Sequence, residues 1–215
     1  MKKFAVVLSG CGVYDGSEIH EATLTLVAIK KQGADYQVFA PDIWQHHVIN
    51  HLTGEEMAEK RNVLIESARI ARGEIKPLTD YNPADFDALV LPGGFGAAKN
   101  LSSFAFDGDK MQVNELVAEK IKATAAAGKL IGALCIAPVI IAKILQGSEL
   151  TIGNDAGTAQ AIKAMGGNHF DAPSGAVVVD EKHKVFTTPC YMLDGNIAQV
   201  AASCENVIKT MMESM

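Results

Sequence analysis

The sequence lacks any long hydrophobic run. No apolar stretch in its 215 residues approaches the roughly 18–20 residues that a helix needs to cross a bilayer. The first apolar run, Phe4–Leu8, stops at Ser9-Gly10. It is shorter than the roughly 7–15 residues of a signal-peptide core, and no cleavage-site pattern follows it. We therefore interpret Phe4–Leu8 as a first strand, and we expect a cytoplasmic protein without a membrane partner.

Positive charge and paired cysteines are also scarce. Lys and Arg number 19 against 25 Asp and Glu, and no block of basic residues interrupts the net charge of −6. This balance argues against a nucleic-acid partner. The four cysteines form no CxxC pair, which is typical of free thiols in a reducing compartment. With 48% hydrophobic and 20% charged residues, the composition is that of a globular protein, and we expect one domain over residues 1–215.

Short apolar runs alternate with helical periodicities over most of the chain. This alternation predicts an α/β fold, a three-layer sandwich whose mostly parallel central sheet is covered on both faces. In such sheets, sites form where the strands end and the strand order reverses. The predicted strands are Phe4–Leu8, Tyr36–Ala40, Phe86–Leu91 and Leu130–Leu134, with a hairpin of Ala176–Val179 and Lys184–Thr188. The segments to search for chemistry are therefore Ser9–Gly12, Pro92–Gly96, Cys135–Pro138 and Pro189–Met192.

Cys135 stands at a predicted strand-to-helix turn. It follows Leu130–Leu134, and Pro138 fits the first turn of the helix that comes next. A helix N-terminus stabilises negative charge, so this position favours the reactive thiolate. The alternative is a small buried core thiol, and spacing alone gives the two readings about equal weight.

The glycine-rich segment Pro92–Gly96 favours the catalytic interpretation of Cys135. Glycines directly after a strand let backbone N–H groups, here around Gly94 and Phe95, point at a developing oxyanion. The N–H of Ile136 is the natural second donor. The alternative is a plain turn or a weak phosphate loop, although no Walker A or GxGxxG pattern is present.

These residues carry a family resemblance. A PGG loop followed about 40 residues later by a cysteine elbow resembles the flavodoxin-like, class I glutamine-amidotransferase-like fold. Asp15-Gly16-Ser17-Glu18 is similar to the branch that contains intracellular cysteine peptidases, glyoxalase III and protein deglycases. A longer set of segments resembles the ElbB subfamily, which is named for isoprenoid biosynthesis and described as glyoxalase-like. That set consists of Ser9–Glu21, Asn50–Gly54, Pro92–Asn100 and Thr188-Pro189.

The resemblance implies a catalytic pair and a homodimer. In the branch, a glutamate on the first helix contacts the elbow cysteine, and we match Glu18 to that position. The residues alone also allow a capping box, Asp15-x-x-Glu18, in which Glu18 bonds to the backbone. A carboxyl beside the Cys135 thiol must share a proton or repel the thiolate, so one of the two pKa values should be displaced.

The chain departs from the family pattern after the elbow. The usual triad histidine is missing from Leu150–Asp155, where only Asn154 or Asp155 could orient another group. Ala137 also replaces a glycine that is usual in the branch. Without a cysteine–histidine pair, amide cleavage is a less favoured activity than chemistry on a more electrophilic substrate.

Several other residues are weaker candidates. As possible pocket-lining residues we name Cys11, Asn154, Cys190 and Tyr191. His20 should point away from Glu18 by helical geometry, and Cys204 belongs to the core. The polar segment His46–Gly54 contains His46, His47 and His51; we interpret it as a solvated loop or lid and assign no metal.

The favoured function is a glyoxalase-like enzyme. The Cys135 thiolate would attack a small reactive carbonyl such as glyoxal, and Glu18 would move a proton between the adjacent carbons of the hemithioacetal. This route needs no glutathione, metal or nucleotide, so we expect no cofactor. Removal of glyoxal adducts, the deglycase reaction, would use the same residues. The alternatives are a catalytically weak binding, regulatory or redox-sensing protein linked to isoprenoid biosynthesis and, less favoured, an amidotransferase or peptidase.

Overall fold

The computed structural model describes residues 1–215 as nine strands and eight α-helices. None of these helices has both the length and the apolar character that crossing a membrane requires. The strands are β1 (Lys3–Val7), β2 (Asp35–Ala40), β3 (Ile75–Pro77), β4 (Ala88–Leu91), β5 (Leu130–Leu134), β6 (Glu149–Leu150), β7 (Asn168–His169), β8 (Val178–Asp180) and β9 (Val185–Thr188). The helices are α1 (Ile19–Lys31), α2 (Val63–Ile70), α3 (Phe95–Lys99), α4 (Phe104–Asp107), α5 (Glu115–Ala126), α6 (Pro138–Ile144), α7 (Ala156–Ala164) and α8 (Ile197–Glu213).

Seven strands form one central sheet in the order β3-β2-β1-β4-β5-β9-β8. Every neighbouring pair is parallel except the β8–β9 hairpin, which is antiparallel. The predicted α/β fold with a mostly parallel sheet is therefore confirmed. Strands β6 and β7 form a separate small parallel pair.

The central strands are buried because both of their faces are covered by helices. Along β1, Phe4 and Val6 join one hydrophobic cluster, while Ala5 and Val7 join the other. Helices α1 and α8 pack against each other on the first face. Residues of α5 and α6 belong to the second cluster, which places them on the opposite face. This period-two division explains why the strands appear in the sequence as continuous apolar runs.

The strand order reverses between β1 and β4. The chain proceeds from β1 outward through β2 and β3, and then returns to β4 on the other side of β1. The loops that follow β1 and β4 therefore lie side by side at the carboxyl edge of the sheet, with the turn after β5 next to them. Parallel sheets form their sites at such a reversal.

Short elements are where the sequence interpretation and the structure differ. Strand β3 was not predicted, because its three residues end at Pro77 and carry no resolvable periodicity. Strand β4 begins at Ala88 instead of Phe86, since a 3₁₀ turn over Pro83–Asp85 leads into it. The hairpin strands begin one or two residues later than predicted.

A methyl group at Gly96 should disturb the loops that carry the site. A Cβ at this position would lie 2.5 Å from the Ser9 carbonyl oxygen and 2.6 Å from the Gly16 carbonyl carbon. We expect Gly96→Ala to lower the free energy of unfolding by about 1–3 kcal/mol, measured by urea denaturation.

Gly157→Ala is the matched control for Gly96→Ala. Gly157 is also helical, but the nearest atom to an added Cβ is Asp155 Oδ1 at 3.6 Å. Helix propensity should then stabilise the protein by up to about 1 kcal/mol. Equal effects of the two substitutions would contradict the close approach of the Gly96 backbone to Ser9 and Gly16.

Candidate active site

Cys135 occupies a strained elbow between β5 and α6. Its φ angle is 59°, in the left-handed region that residues other than glycine rarely adopt. The elbow is anchored by the Cys135 N–H, which donates to the Thr188 carbonyl at 3.0 Å. The residue is 7% exposed, and the nearby backbone N–H groups of Gly94 and Ile136 act to lower the pKa of its thiol. The backbone forms the turn that the sequence predicts for Cys135. Of the three residues predicted for the oxyanion site, Gly94 and Ile136 place their N–H groups near the sulfur. The expectation for the Phe95 N–H is corrected, because it donates to the Val13 carbonyl at 2.8 Å.

The carboxyl that contacts Cys135 belongs to Glu21, not to Glu18. Glu21 is fully buried, and its carboxyl lies close enough to the thiol for its charge to raise the pKa of Cys135. A methyl group placed on Gly93 would lie 2.6 Å from Glu21 Oε2 and 2.8 Å from Cys135 Sγ, so both atoms lie against the same glycine. Any larger residue at Gly93 would separate the carboxyl from the thiol.

Glu18 has a different role in the structure. It is the N-cap of α1, and its Oε2 accepts a hydrogen bond of 2.7 Å from the Glu21 N–H. The assignment of Glu18 as the partner of Cys135 is therefore corrected: its carboxyl is committed to the helix terminus, although it also lines the cavity above Cys135. The predicted Asp15 capping box does not form either, since Asp15 Oδ2 accepts from the Ile49 N–H.

Two backbone donors hold the buried Glu21 carboxyl in place. The Gly93 N–H donates to Oε2 at 3.0 Å, and the Tyr191 N–H donates to Oε1 at 3.1 Å. These bonds fix the carboxyl between the loop after β4 and the segment after β9. They also satisfy both oxygens of a group that would be costly to bury without partners.

Burial raises the pKa of Glu21 to about 7, and the negative charge of Glu18 adds to this effect against the two N–H donors. Burial, followed by the charge of Glu21, also raises the pKa of Cys135 well above its usual range. The Gly94 and Ile136 N–H groups oppose the rise in the pKa of Cys135 without cancelling it. The expectation that the helix N-terminus favours the thiolate is thus outweighed by desolvation, and the two groups hold a proton between them near neutral pH.

A cavity of about 300 Å³ opens above the Cys135 thiol. Gly94, Phe95, Ile136 and Tyr191, four of the residues singled out in the sequence, line it together with Cys135 and Glu18. Its remaining walls are mainly apolar. They are formed by Val13, Ala98, Phe104, Ala105, Met192 and the polar Thr158.

Three of the four residues named as possible pocket lining lie elsewhere. Asn154 is exposed on the loop before α7, and Thr158 from the helix itself reaches the cavity instead. Cys11 is half-buried beside Glu66. Cys190 is buried behind the cavity near Cys204, whose thiol donates to the Glu21 carbonyl at 3.8 Å.

No histidine takes the position of the missing triad member. His20 shares a hydrogen bond of 2.8 Å with the Tyr191 hydroxyl at the cavity, and its Nδ1 lies 4.0 Å from Glu18 Oε1. Helical geometry does not separate His20 from Glu18 because the cap residue lies outside the helix. The rings of His46 and His47 pack against each other and near Phe106. No group of three or more His, Cys, Asp or Glu side chains is arranged to hold a metal ion.

A sequence signal for Glu21 was available. Glu21 shares the buried face of α1 with Thr25, one turn later, and with Ala22 and Ala28. A carboxylate on an otherwise buried helix face is costly without a local partner, and this cost marks it as the more informative glutamate.

The fold and the cysteine elbow define a class I glutamine-amidotransferase-like protein. Residues 11–191 match the model of the DJ-1/PfpI family, and the chain belongs to that family.

Named relatives extend this result. The human mitochondrial glutamine amidotransferase-like class 1 domain-containing protein 3 is 52% identical over 202 residues, which cover 89% of this chain and 75% of that protein. The crystal structure of an isoprenoid biosynthesis protein with an amidotransferase-like domain from Ehrlichia chaffeensis is 34% identical, with a TM-score of 0.92 over 99% of this chain and 100% of that one. Glyoxalase III from Candida albicans shares the fold at 15% identity, with a TM-score of 0.64 over 100% of this chain and 97% of that one.

The comparison also corrects the expected location. The human relative and the rat ES1 protein homolog, which is 47% identical over 98% of this chain and 83% of that protein, are both named as mitochondrial. The expectation of a cytoplasmic protein, drawn from the short first apolar run, is therefore wrong.

The raised pKa of Glu21 predicts a pH-dependent contribution to stability. Because the pKa rises from 4.5 to about 7 on folding, the folded state binds more protons between these values, and stability is lost as pH rises through that window. We expect the free energy of unfolding of the wild type, relative to Glu21→Gln, to fall between about pH 5 and about pH 8. Urea denaturation at both pH values measures it, and a pH-independent difference would contradict the assignment.

Proposed function

We propose that this protein is a glutathione-independent, glyoxalase-like enzyme that converts small reactive carbonyls to hydroxy acids. The observation that carries the proposal is the Cys135 thiol in the lining of a cavity, with the buried Glu21 carboxyl behind it against Gly93. Such a pair supplies both a nucleophile and an acid/base group without a histidine.

The first step is addition of the thiolate to the aldehyde. In the tautomer in which Glu21 carries the shared proton, the Cys135 sulfur forms a bond to the aldehyde carbon and the carbonyl π pair moves to oxygen. That oxygen develops beside the Gly94 and Ile136 N–H groups, which stabilise its charge. Glu21 then delivers its proton, and a hemithioacetal results.

The second step moves a proton between adjacent carbons. The Glu21 carboxylate removes the proton from the sulfur-bearing carbon, whose electron pair forms a carbon–carbon double bond while the π pair of the neighbouring carbonyl moves to its oxygen, giving an enediolate. The hydroxyl proton of the hemithioacetal moves to that oxygen, and Glu21 returns its proton to the neighbouring carbon. A thioester results, so one carbon is oxidised while the other is reduced. Water then cleaves the thioester, releasing a hydroxy acid and restoring the thiol.

Amide cleavage draws less support from the same geometry. The leaving amine of an amide needs a proton donor, and this role usually falls to a histidine paired with the nucleophile. No histidine contacts Cys135, and the thiol is held at a raised pKa. An aldehyde, as a better electrophile with no leaving group in the addition step, places lower demands on the site.

The raised pKa of Cys135 also favours a second candidate function. A thiol that remains protonated near neutral pH suits a catalytically weak binding or regulatory protein on the same fold. The ElbB-type resemblance and the name of the Ehrlichia relative connect that candidate to isoprenoid biosynthesis. We also propose that the protein forms a homodimer and that the same residues can catalyse the deglycase reaction.

Turnover of glyoxal without added thiol tests the proposal. We expect glycolate formation by the wild type, none by Cys135→Ser, and a loss of about 10²–10⁴-fold for Glu21→Gln, because the acid/base group is removed. Glu18→Gln should cost less than about tenfold, since the amide oxygen still caps α1.

The variants are purified identically to exclude host enzymes. If Glu18→Gln is as impaired as Glu21→Gln, the acid/base assignment is wrong. Equal glycolate in all samples, or none in any, would contradict the glyoxalase proposal itself.

A further inference from the structure

We infer that the substrate is a neutral aldehyde carrying an apolar group larger than that of glyoxal or methylglyoxal. This inference rests on the proposed function and names the substrate class for the same site. It is carried by the size, lining and charge of the cavity above Cys135.

The cavity is too large for glyoxal. A water molecule needs only about 10–15 Å³ of such a volume, so a cavity of about 300 Å³ has room for far more than the small glyoxal molecule. Glyoxal would occupy less than half of this space, and the remainder would be left to water against apolar walls. Phenylglyoxal, which adds a phenyl ring to the same dicarbonyl, would occupy more of it.

The walls match an apolar substituent. Nine of the twelve lining residues are hydrophobic, and Phe95, Phe104, Ile136 and Met192 offer the largest surfaces. Phe95 is 47% exposed and so forms part of the rim, whereas Cys135 is buried at the closed end. An aldehyde carbon on the sulfur would therefore place its substituent against the aromatic and aliphatic walls, where burial is favourable.

The charge of the lining excludes anionic substrates. Glu18 is the only acidic residue in the lining, and no Lys, Arg or His contributes to the walls. Lys99 lies outside the cavity, where its ammonium donates to the Tyr14 carbonyl and covers the Phe95 ring. A carboxylate or phosphate would be desolvated beside Glu18 without a cation, which is strongly unfavourable. The same argument disfavours the carboxylate of glutamine.

The inference is tested by comparing kcat/KM for oxoaldehydes of different size. We expect kcat/KM for phenylglyoxal to exceed that for methylglyoxal by at least about tenfold. Ala105 lines the cavity from an exposed position on α4, so Ala105→Phe should fill the mouth without disturbing the fold. It should lower kcat/KM for phenylglyoxal about tenfold while changing that for methylglyoxal less than about threefold.

Ala126→Phe is the matched control for Ala105→Phe. It adds the same ring at an exposed alanine on α5 that does not line the cavity. We expect it to leave the ratio of the two kcat/KM values unchanged. An equal change of the ratio in both variants would overturn the inference.

Protection of Cys135 from iodoacetamide tests ligand binding separately from turnover. Benzyl alcohol, which is neutral and cannot react with the thiol, should slow alkylation of Cys135 in the wild type and not in Ala105→Phe. Benzoate, a ring of similar size with a negative charge, should not protect. Mass spectrometry quantifies the modification at each cysteine.

The two arms distinguish the possible failures. If no oxoaldehyde is turned over but benzyl alcohol protects, the proposed function fails, while an apolar neutral ligand is retained for the cavity. A different failure is that kcat/KM for glyoxal and methylglyoxal equals that for phenylglyoxal, and that benzyl alcohol does not protect Cys135. In that case the proposed function stands and the apolar substrate class is overturned.

Discussion

The buried contact between the Cys135 thiol and the Glu21 carboxyl constrains the rest of this site. Two groups that each become negative on ionisation lie together in a low-dielectric environment without a neighbouring cation. Ionising both would be costly, so one proton stays with the pair near neutral pH. That proton stabilises the thiolate when it resides on the carboxyl, and it is then also available to a developing oxyanion.

Bringing these two side chains together requires three distant parts of the chain. Helix α1 supplies Glu21 and the turn after β5 supplies Cys135, while Gly93 after β4 has no side chain that would come between them. The reversal of strand order between β1 and β4 places these parts at one sheet edge. The left-handed backbone conformation of Cys135 is strained, and the surrounding packing stabilises it. Such strain is common where a nucleophile projects from a turn.

The sequence was sufficient for the fold, and it singled out the strand ends at which the candidate site lies. Alternating apolar runs and helical periodicities predict the parallel sheet, and the strand ends that they define include the Cys135 turn and the Pro92–Gly96 loop. The choice of glutamate was not predicted because it depends on where α1 begins. Once Glu18 is the N-cap, the first turn directs Glu21 inward, and a boundary error of a few residues exchanges their roles. The placement of His20 beside Tyr191 depends on a contact across 171 residues, which no local pattern encodes.

The pH dependence of Cys135 alkylation, compared between the wild type and Glu21→Gln, tests the shared proton most directly. The negative charge of Glu21 raises the pKa of the thiol, so its removal should move the alkylation midpoint of Cys135 to lower pH. Cys11, which lies outside the cavity, serves as the internal reference and should be unaffected. A Cys135 midpoint that is unchanged or higher in Glu21→Gln would contradict the coupling on which this account depends.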